Sequence, residues 1–536
     1  MSADPKVSIL ALATEPDWID LHDNIAGFAS PAVANLLEQL KVAGAGWALV
    51  EEDYLDRDFS EEHRAFYGRL FRHFPKRCRR FHFFAGDLPD AGQVAELAAQ
   101  MEEACCAGRF LGFAVIRPVR DAPLGRAVVK VLQSPDGVDA RIQVRARYET
   151  HPLGATLSIW GVPLTQQDRR ISACAQASIW VSGRHFLTRH NGPWFSTVGI
   201  GEAASQPTDM TLAMALPAGS AGLNANNMLR ALRAMDRYPY AFAGQKLLKP
   251  QPGGPLVAWP APLDPAHILS RYVGSGLPVI LGLVSWEGGG DGHAVTVVGD
   301  SFRPASGPLG QSKPNLGALS PHFLVHDDQR GPNLRMPVER DEPLGETPYN
   351  VRDHAHFIIV PLPDKVFMPA EVAEAIAWDY LRFHLDDWPG MRAGLATDAP
   401  SVALGDAVAQ AARENGIVAR TYLTHGWKHK ERILAGGAAL PVRELIASAS
   451  LPRMIWVTEF GRLDDLNKLD PEARRIFGHS VMDATSPEQG PPLIFHAPGH
   501  LTHHTQVDGA FFLTTEPVPR PISDDVLYKA RARKNR

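Results

Sequence analysis

Apolar residues along this 536-residue chain recur with both the helical and the strand period, so mixed helix and strand signals run from end to end. In DFSEEHRAFYGRLFRHF, Phe59, Phe66, Leu70, Phe71 and Phe74 fall near one face of a helix, and Asp58 with Glu61 has the spacing of a capping box. Strand-like runs FLGFAVIRPV and RIQVRARYET follow, then the turn-rich HPLGATLSIWGVPLTQQD, which sets a first boundary near residue 155. CAQASIWVSGRHFL reads as a helix with Ala177, Trp180 and Val181 on one side. The Pro/Gly-punctuated SGLPVILGLVSWEGGGDGHAVTVVGD ends in a β-branched strand that starts at His293. HFLVHDDQRGP is a short strand ending in a carboxylate pair and a turn. Alternation puts Phe323, Val325 and Asp327 on one face and Leu324, His326 and Asp328 on the other, so a single aspartate should face His293. From about 346 onward, the helix PAEVAEAIAWDYLRFHL and the strands MIWVTEF and PLIFHAP make an α+β accessory region.

With 45% hydrophobic residues the chain can bury large cores, and its length suggests three domains, placed at 1–155, 156–345 and 346–536. A net charge of -5 is weak for this length and points to neither nucleic acid nor a membrane surface. The N-terminal run fits neither a secretory signal nor a lipidation site. No apolar run reaches the ~18 residues that span a bilayer, so a soluble, cytoplasmic protein is expected. The four cysteines, Cys78, Cys105, Cys106 and Cys174, have no CxxC spacing and are expected as free thiols. The basic, aromatic KRCRRFHFF is read as a helix end entering a strand rather than as a nucleic-acid contact. The tail YKARARKNR is read as a solvated end. His496, His500, His503 and His504 crowd a Pro/Gly-broken stretch with no helical i, i+4 pair, and no metal or other cofactor is expected. GGGDG lacks a following GK[ST] and reads as a tight turn. There are no internal repeats or low-complexity tracts.

The candidate chemistry begins at Cys174, where a polar turn gives way to a helix. Free backbone N–H groups and the positive end of the helix macrodipole favour a thiolate there, and a thiolate is a nucleophile. A nucleophile needs a base. His293, delivered by a glycine-rich turn onto a strand, is the candidate, and the carboxylates of Asp327 or Asp328 follow. The order is cysteine, histidine, aspartate.

In this order and setting the chain resembles papain-fold cysteine peptidases, and among them the bacterial bacteriocin-processing (double-glycine type) peptidase domains. The matching features are a glutamine before the cysteine (Gln167 or Gln166), a Gly-Leu helix start at Gly222, the strand SGLPVILGL, and GHAVTVVGD. The match spans roughly 160 to 330, and the whole chain resembles a group of bacterial proteins that carry this domain. The resemblance implies a papain-like α+β core, a helical part with an antiparallel β part, flanked by N- and C-terminal α/β regions. It implies Cys174 as nucleophile, His293 as base, Asp327 as the residue orienting the imidazole, and Gln167 with the Cys174 backbone N–H as oxyanion donors. Three positions depart from the family pattern. Ala175 stands where glycine is usual, Gln167 is seven positions before Cys174 and Gln166 eight, and Asp-Asp replaces Asp-Pro. Gln166 and Asp328 therefore stand as alternatives.

The reading is a cofactor-free thiol hydrolase acting on a protein or peptide, with flanking regions that restrict or recruit substrate. A transglutaminase-like acyl transferase, which gives the acyl group to an amine, and a non-catalytic papain-fold binding module are the alternatives. Oligomeric state is left open.

Overall fold

The computed structural model describes residues 6–26, 30–90, 93–130, 137–167, 174–205, 223–284, 292–395, 398–436, 440–507 and 510–517. The helix start at Gly222, most of the glycine-rich turn before His293 and the basic tail lie outside them. The protein is a mixed helix and antiparallel-sheet, α+β, structure built on three main sheets. No helix among the described residues is long and apolar enough to cross a membrane.

The first sheet is a five-stranded antiparallel meander of β1 (Val7–Ala11), β2 (Ala45–Tyr54), β3 (Cys78–Ala85), β4 (Phe110–Ile116) and β5 (Leu124–Val129). Alternation along β2 and β3 gives it two apolar faces. Val50, Phe81 and Phe83 meet Trp18, Leu36 and Leu40 of α1 (Glu15–Ala26) and α2 (Pro31–Val42) on one side. On the other, Trp47 and Phe84 stack at 4.2 Å between ring centroids and meet Met101 of α4 (Val94–Cys106). KRCRRFHFF thus enters β3 as expected, but no helix end leads into it: residues 70–77 form bends and loop.

The helix predicted over 58–74 is shorter. It is α3 (Arg57–Ala65), and its N-cap is Asp56, whose carboxylate accepts from the Phe59 N–H at 3.0 Å. Asp58 instead accepts from Trp180 Nε1 at 3.2 Å and from Arg184. Phe59 is buried with Phe66 and Phe74 packed nearby, but Leu70 and Phe71 are exposed, because the chain leaves the helix at Phe66 and their expected face no longer exists.

After β6 (Asp139–Ile142) come the hairpin β7 (Ala146–Thr150) and β8 (Leu157–Gly161), then α5 (Cys174–His190), α6 (Thr197–Ser205) and α7 (Ala225–Ala234). The remaining elements of this part are β9 (Tyr238–Ala243), the short pair β10 (Gln245–Lys246) and β11 (Val257–Ala258), α8 (Pro265–Gly274), β12 (Val279–Leu283), β13 (His293–Phe302), β14 (His322–Asp327), β15 (Gly331–Pro337), α9 (Val351–His354) and β16 (Ala355–Leu362). They form a seven-stranded antiparallel sheet in the order β15-β14-β13-β12-β16-β9, with β6 paired beside the far end of β13. Ile280, Ala294, Val298 and Leu324 point toward Ile179, Trp180, Met228 and Leu232 of α5 and α7. Their neighbours Leu281, Val295, Val297, Phe323 and Val325 point toward Leu269, Tyr272 and Val273 of α8. Helices on both faces explain why these strands read as near-continuous apolar runs.

The third sheet is a six-stranded meander: β17 (Ile417–His425), β18 (Met454–Arg462), β19 (Gly478–Asp483), β20 (Ile494–Ala497), β21 (His500–Val507) and β22 (Ala510–Pro517). The helices α10 (Ala370–Gly394) and α11 (Ala399–Arg413) cover one face, and α12 (Gly426–Ala435) and α13 (Leu440–Ser448) the other. Trp456, Met454 and Leu423 join the α8 core of the second sheet, so the two share one apolar cluster.

Candidate active site

Cys174 and Ser178 are one helical turn apart on α5 and face β13. Ser178 Oγ donates to the Ala294 carbonyl at 3.1 Å, and Thr296 Oγ1 donates to the Ser178 carbonyl at 3.3 Å, which clamps the helix to the strand. One turn earlier, the Ala294 N–H donates to Cys174 Sγ at 3.3 Å. The clamp holds the thiol beside His293, the first residue of β13. Ala175, where the family pattern has glycine, is buried in the α5 core.

His293 Nε2 lies 3.1 Å from Asp327 Oδ1, with both side chains buried. Burial opposes charge on the imidazole, but hydrogen bonding to Asp327 and to Cys174, with the two carboxylates nearby, holds its pKa well above the usual value. Nε2 is on the Asp327 side. Asp327 Oδ2 accepts from the Tyr349 hydroxyl at 2.6 Å, and Oδ1 accepts from the Gln329 N–H at 2.8 Å. Burial pushes the Asp327 carboxyl up, but these donors and His293 outweigh it and hold its pKa below the ordinary value.

The expectation that only one aspartate faces His293 is corrected here. β14 ends at Asp327, with a register shift after Val325, and Asp328 sits in the following turn, where strand alternation no longer applies. Asp328 turns back into the site, so that ligand atoms of His293, Asp327 and Asp328 all lie within 4.8 Å of one another. These three are the group among the described residues whose donors converge closely enough to hold a cation. Burial pushes the Asp328 carboxyl up to about 7; Asp327 adds to that rise and His293 opposes it.

The two glutamines separate. Gln166 is tied to β5: its N–H donates to the Leu124 carbonyl at 3.0 Å, and its Oε1 accepts from the Leu124 N–H at 3.3 Å. Its carbonyl accepts from Arg117, which pairs with Glu62 at 2.9 Å. Gln167, next in the chain, points the other way and lies against Asp328. The Gln167 side chain hydrogen-bonds the Asp328 carboxyl and opposes its rise, while Oε1 of Gln167 has no hydrogen-bond partner among the described residues.

Three contributors escaped the sequence reading: Tyr349, the Ala294 N–H and helix α2. Asn35 and Gln39 of α2 donate to the carbonyls of Arg330 and Pro332, and Gln39 Oε1 accepts from Asn333 at 3.1 Å. The first sheet's helix thus grips the turn that carries Asp328. No local pattern around Tyr349 or Gln39 announces these roles, which depend on contacts across 22 and 294 positions.

The four cysteines are free, with Cys106 exposed and Cys78 buried. Burial pushes the Cys78 thiol up to about 12. Among the described residues the C-terminal histidines make no group whose donor atoms all lie within 4.8 Å of one another, and they pack ring against ring. His496 packs edge-on to His479 at 5.6 Å between ring centroids, while His500 packs on His384 at 4.4 Å.

No family model matches the chain, and no curated protein matches it. Among solved structures, the peptidase domain of Streptococcus ComA, a bi-functional ABC transporter involved in a quorum sensing pathway, is similar over 38% of this chain and 97% of its own. The identity is 11% and the TM-score 0.20. At that score the likeness carries no inference about chemistry, and the site is read from its own geometry.

Proposed function

We propose that the chain is a thiol hydrolase on a papain-like core, cleaving a peptide, isopeptide or related amide bond. The observation that carries this is the placing of one buried imidazole between the Cys174 thiol and the Asp327 carboxylate, at the start of a helix. Cys174 sulfur attacks the carbonyl carbon, and the oxyanion is held by the Cys174 N–H and the Gln167 carboxamide. His293, kept charged by Asp327, protonates the leaving amine as the C–N bond breaks. Water, deprotonated by His293, then attacks the thioester and releases the acid and the free thiol. The 156–345 region holds the site. The 1–155 region supports it through α2 and Arg117, and the 346–536 region is an accessory to it.

The test is labelling of the full chain by a thiol-reactive acyl probe, read at each cysteine by mass spectrometry. Cys174 should label at least tenfold faster than exposed Cys106. His293→Ala should remove that advantage, and Cys174→Ala should abolish turnover of any acyl substrate. Equal rates at Cys174 and Cys106 would leave the binding-module reading. With a primary amine present, amide product in place of acid would establish the acyl-transferase alternative.

A further inference from the structure

A cleft of about 330 Å³ in the first sheet plays no part in the bond-breaking steps above. It lies where the last turn of α1 meets the start of β3 and the chain leaving β4. Four arginines, Arg77, Arg79, Arg117 and Arg120, line it against one acid, Asp23. Arg117 pairs with buried Glu62, and Arg77 lies 3.4 Å from Asp53 in an exposed pair of little strength. Arg79 differs. Its half-buried guanidinium donates to Oδ1 of Asn24 and, at 2.9 Å, to the Asn24 carbonyl, and it makes no ion pair among the described residues. Burial lowers its pKa, opposed only by Glu52, which bonds Ser8 instead. A cation drawn out of water calls for a counter-charge, and a planar guanidinium suits a carboxylate best.

The sheet register sets how far this cleft is from the site. Arg79 is opposite Ile116, Ile116 opposite Leu124, and Leu124 exchanges two hydrogen bonds with Gln166. The four make one row across the end of the sheet, so Arg79 stands about 14 Å from Gln166 at ~4.8 Å per strand. Gln167, next in the chain, lies at the site against Asp328. Arg117 ties the two places together, since it lines the cleft and donates to the Gln166 carbonyl. An extended peptide rises ~3.3 Å per residue, so about four or five residues span the gap.

We propose that this cleft is a subsite of the hydrolase, in which Arg79, flanked by Arg77 and Arg120, takes the carboxylate of a glutamate or aspartate four or five residues from the scissile bond of a peptide substrate. This rests on the reading of Cys174 as nucleophile and names the class of substrate, a peptide acidic at a fixed distance. The net charge of the chain is -5, so an acidic peptide is repelled by the surface at large and drawn to this cleft.

The probes are Gly/Ala peptides with one central backbone ester and a single Glu or Gln placed at successive positions to either side of it. On the full chain, Glu at the fourth or fifth position on one side should raise kcat/KM about tenfold over Gln, and Glu next to the ester should not. High salt should erase the preference. Arg79→Gln should bring Glu and Gln within about twofold of each other while iodoacetamide alkylation of Cys174 stays unchanged. Arg79→Glu should move the preference to Lys at the same position. Fluorescein-labelled all-amide versions are also bound to the Cys174→Ala chain and read by anisotropy, so that a peptide that is not turned over still reports. There the Glu peptide should bind about tenfold tighter than the Gln peptide, and Arg79→Gln should remove the difference. Should Arg79→Gln fail to fold, Arg77→Gln on the same cleft should lower the preference about threefold. The proposal is overturned if Glu and Gln peptides behave alike in turnover and binding, if the position of Glu makes no difference, or if the preference survives Arg79→Gln. Lower stability of Arg79→Gln with the preference intact would leave Arg79 as a cap of α1 alone. If Cys174 alkylates no faster than Cys106, the hydrolase reading fails and takes the subsite with it. Fast alkylation without discrimination between Glu and Gln overturns the subsite alone.

Discussion

Tyr349 holds the far oxygen of the Asp327 carboxylate at 2.6 Å while His293 lies 3.1 Å from the near one, so a buried phenol fixes the acid that orients the imidazole. Tyr349→Phe leaves Oδ2 short of a donor. Hydrogen bonds to charged groups contribute about 1.5–3 kcal/mol, and a stability loss of that order is expected. Because Asp327 has a depressed pKa in the fold, its stabilising contribution is present above the unfolded value of ~4 and is lost as pH falls through the folded one. The gap in thermal midpoint between Tyr349→Phe and the native chain should therefore be full at pH 6 and shrink below pH 4. A gap that does not depend on pH would show that the phenol acts by packing alone.

The two aspartates should respond oppositely to the same change. Asp327→Asn should slow acylation of Cys174 on the order of 10–10³-fold, because imidazole orientation and charge depend on it. Asp328→Asn should change it by no more than a few-fold at pH 6. The reverse ranking, measured in single turnover, would make Asp328 the orienting acid.

Asp328 also makes a signed stability prediction. Its carboxyl is pushed up to about 7 in the fold against an unfolded value of ~4, so the folded state binds the extra proton and stability falls as pH rises through that window. Asp328→Asn has no such dependence. Its gain in urea-unfolding free energy over the native chain should grow from pH 4 to about 7 and stay level above. A gain constant from pH 4 to 8 would show that Asp328 is ionised in the fold.

Gln39 of α2 bonds both the Pro332 carbonyl and Asn333, at the start of β15 just after the turn that carries Asp328. Gln39→Leu should cost about 1–3 kcal/mol through unpaired buried groups and should slow acylation more than it slows iodoacetamide alkylation. Equal slowing of both would mean that the turn supports the thiol rather than the oxyanion side.

In the third sheet, His384 and His479 are buried, and burial depresses each to about 3. Depressed histidines leave the unfolded chain binding more protons between about 3 and 6.5, so stability is lost as pH falls through that range. His479→Leu should reduce the steepness of acid unfolding while changing the midpoint little at pH 8. An unchanged acid slope would place the titrating groups elsewhere.

What the sequence determined by itself was local. Strand and helix periods placed β13, β14, α5 and α10, since an apolar period survives whatever packs against it. Cys174 at a helix start and His293 at a strand start were legible for the same reason. Tertiary structure decided everything that needed a second segment. The helix over 58–74 ended early and took Asp56 as its cap, because Asp58 turned to Trp180 and Arg184 of α5. Gln166 and Gln167 are chemically identical and adjacent; only the backbone pairing of Gln166 with Leu124 sends the next carboxamide inward. Asp327 and Asp328 are equally alike, and the strand's end between them, gripped by α2 from nearly 300 positions away, brings both to His293. Period-2 reasoning holds while a ladder lasts and says nothing about the first residue beyond it.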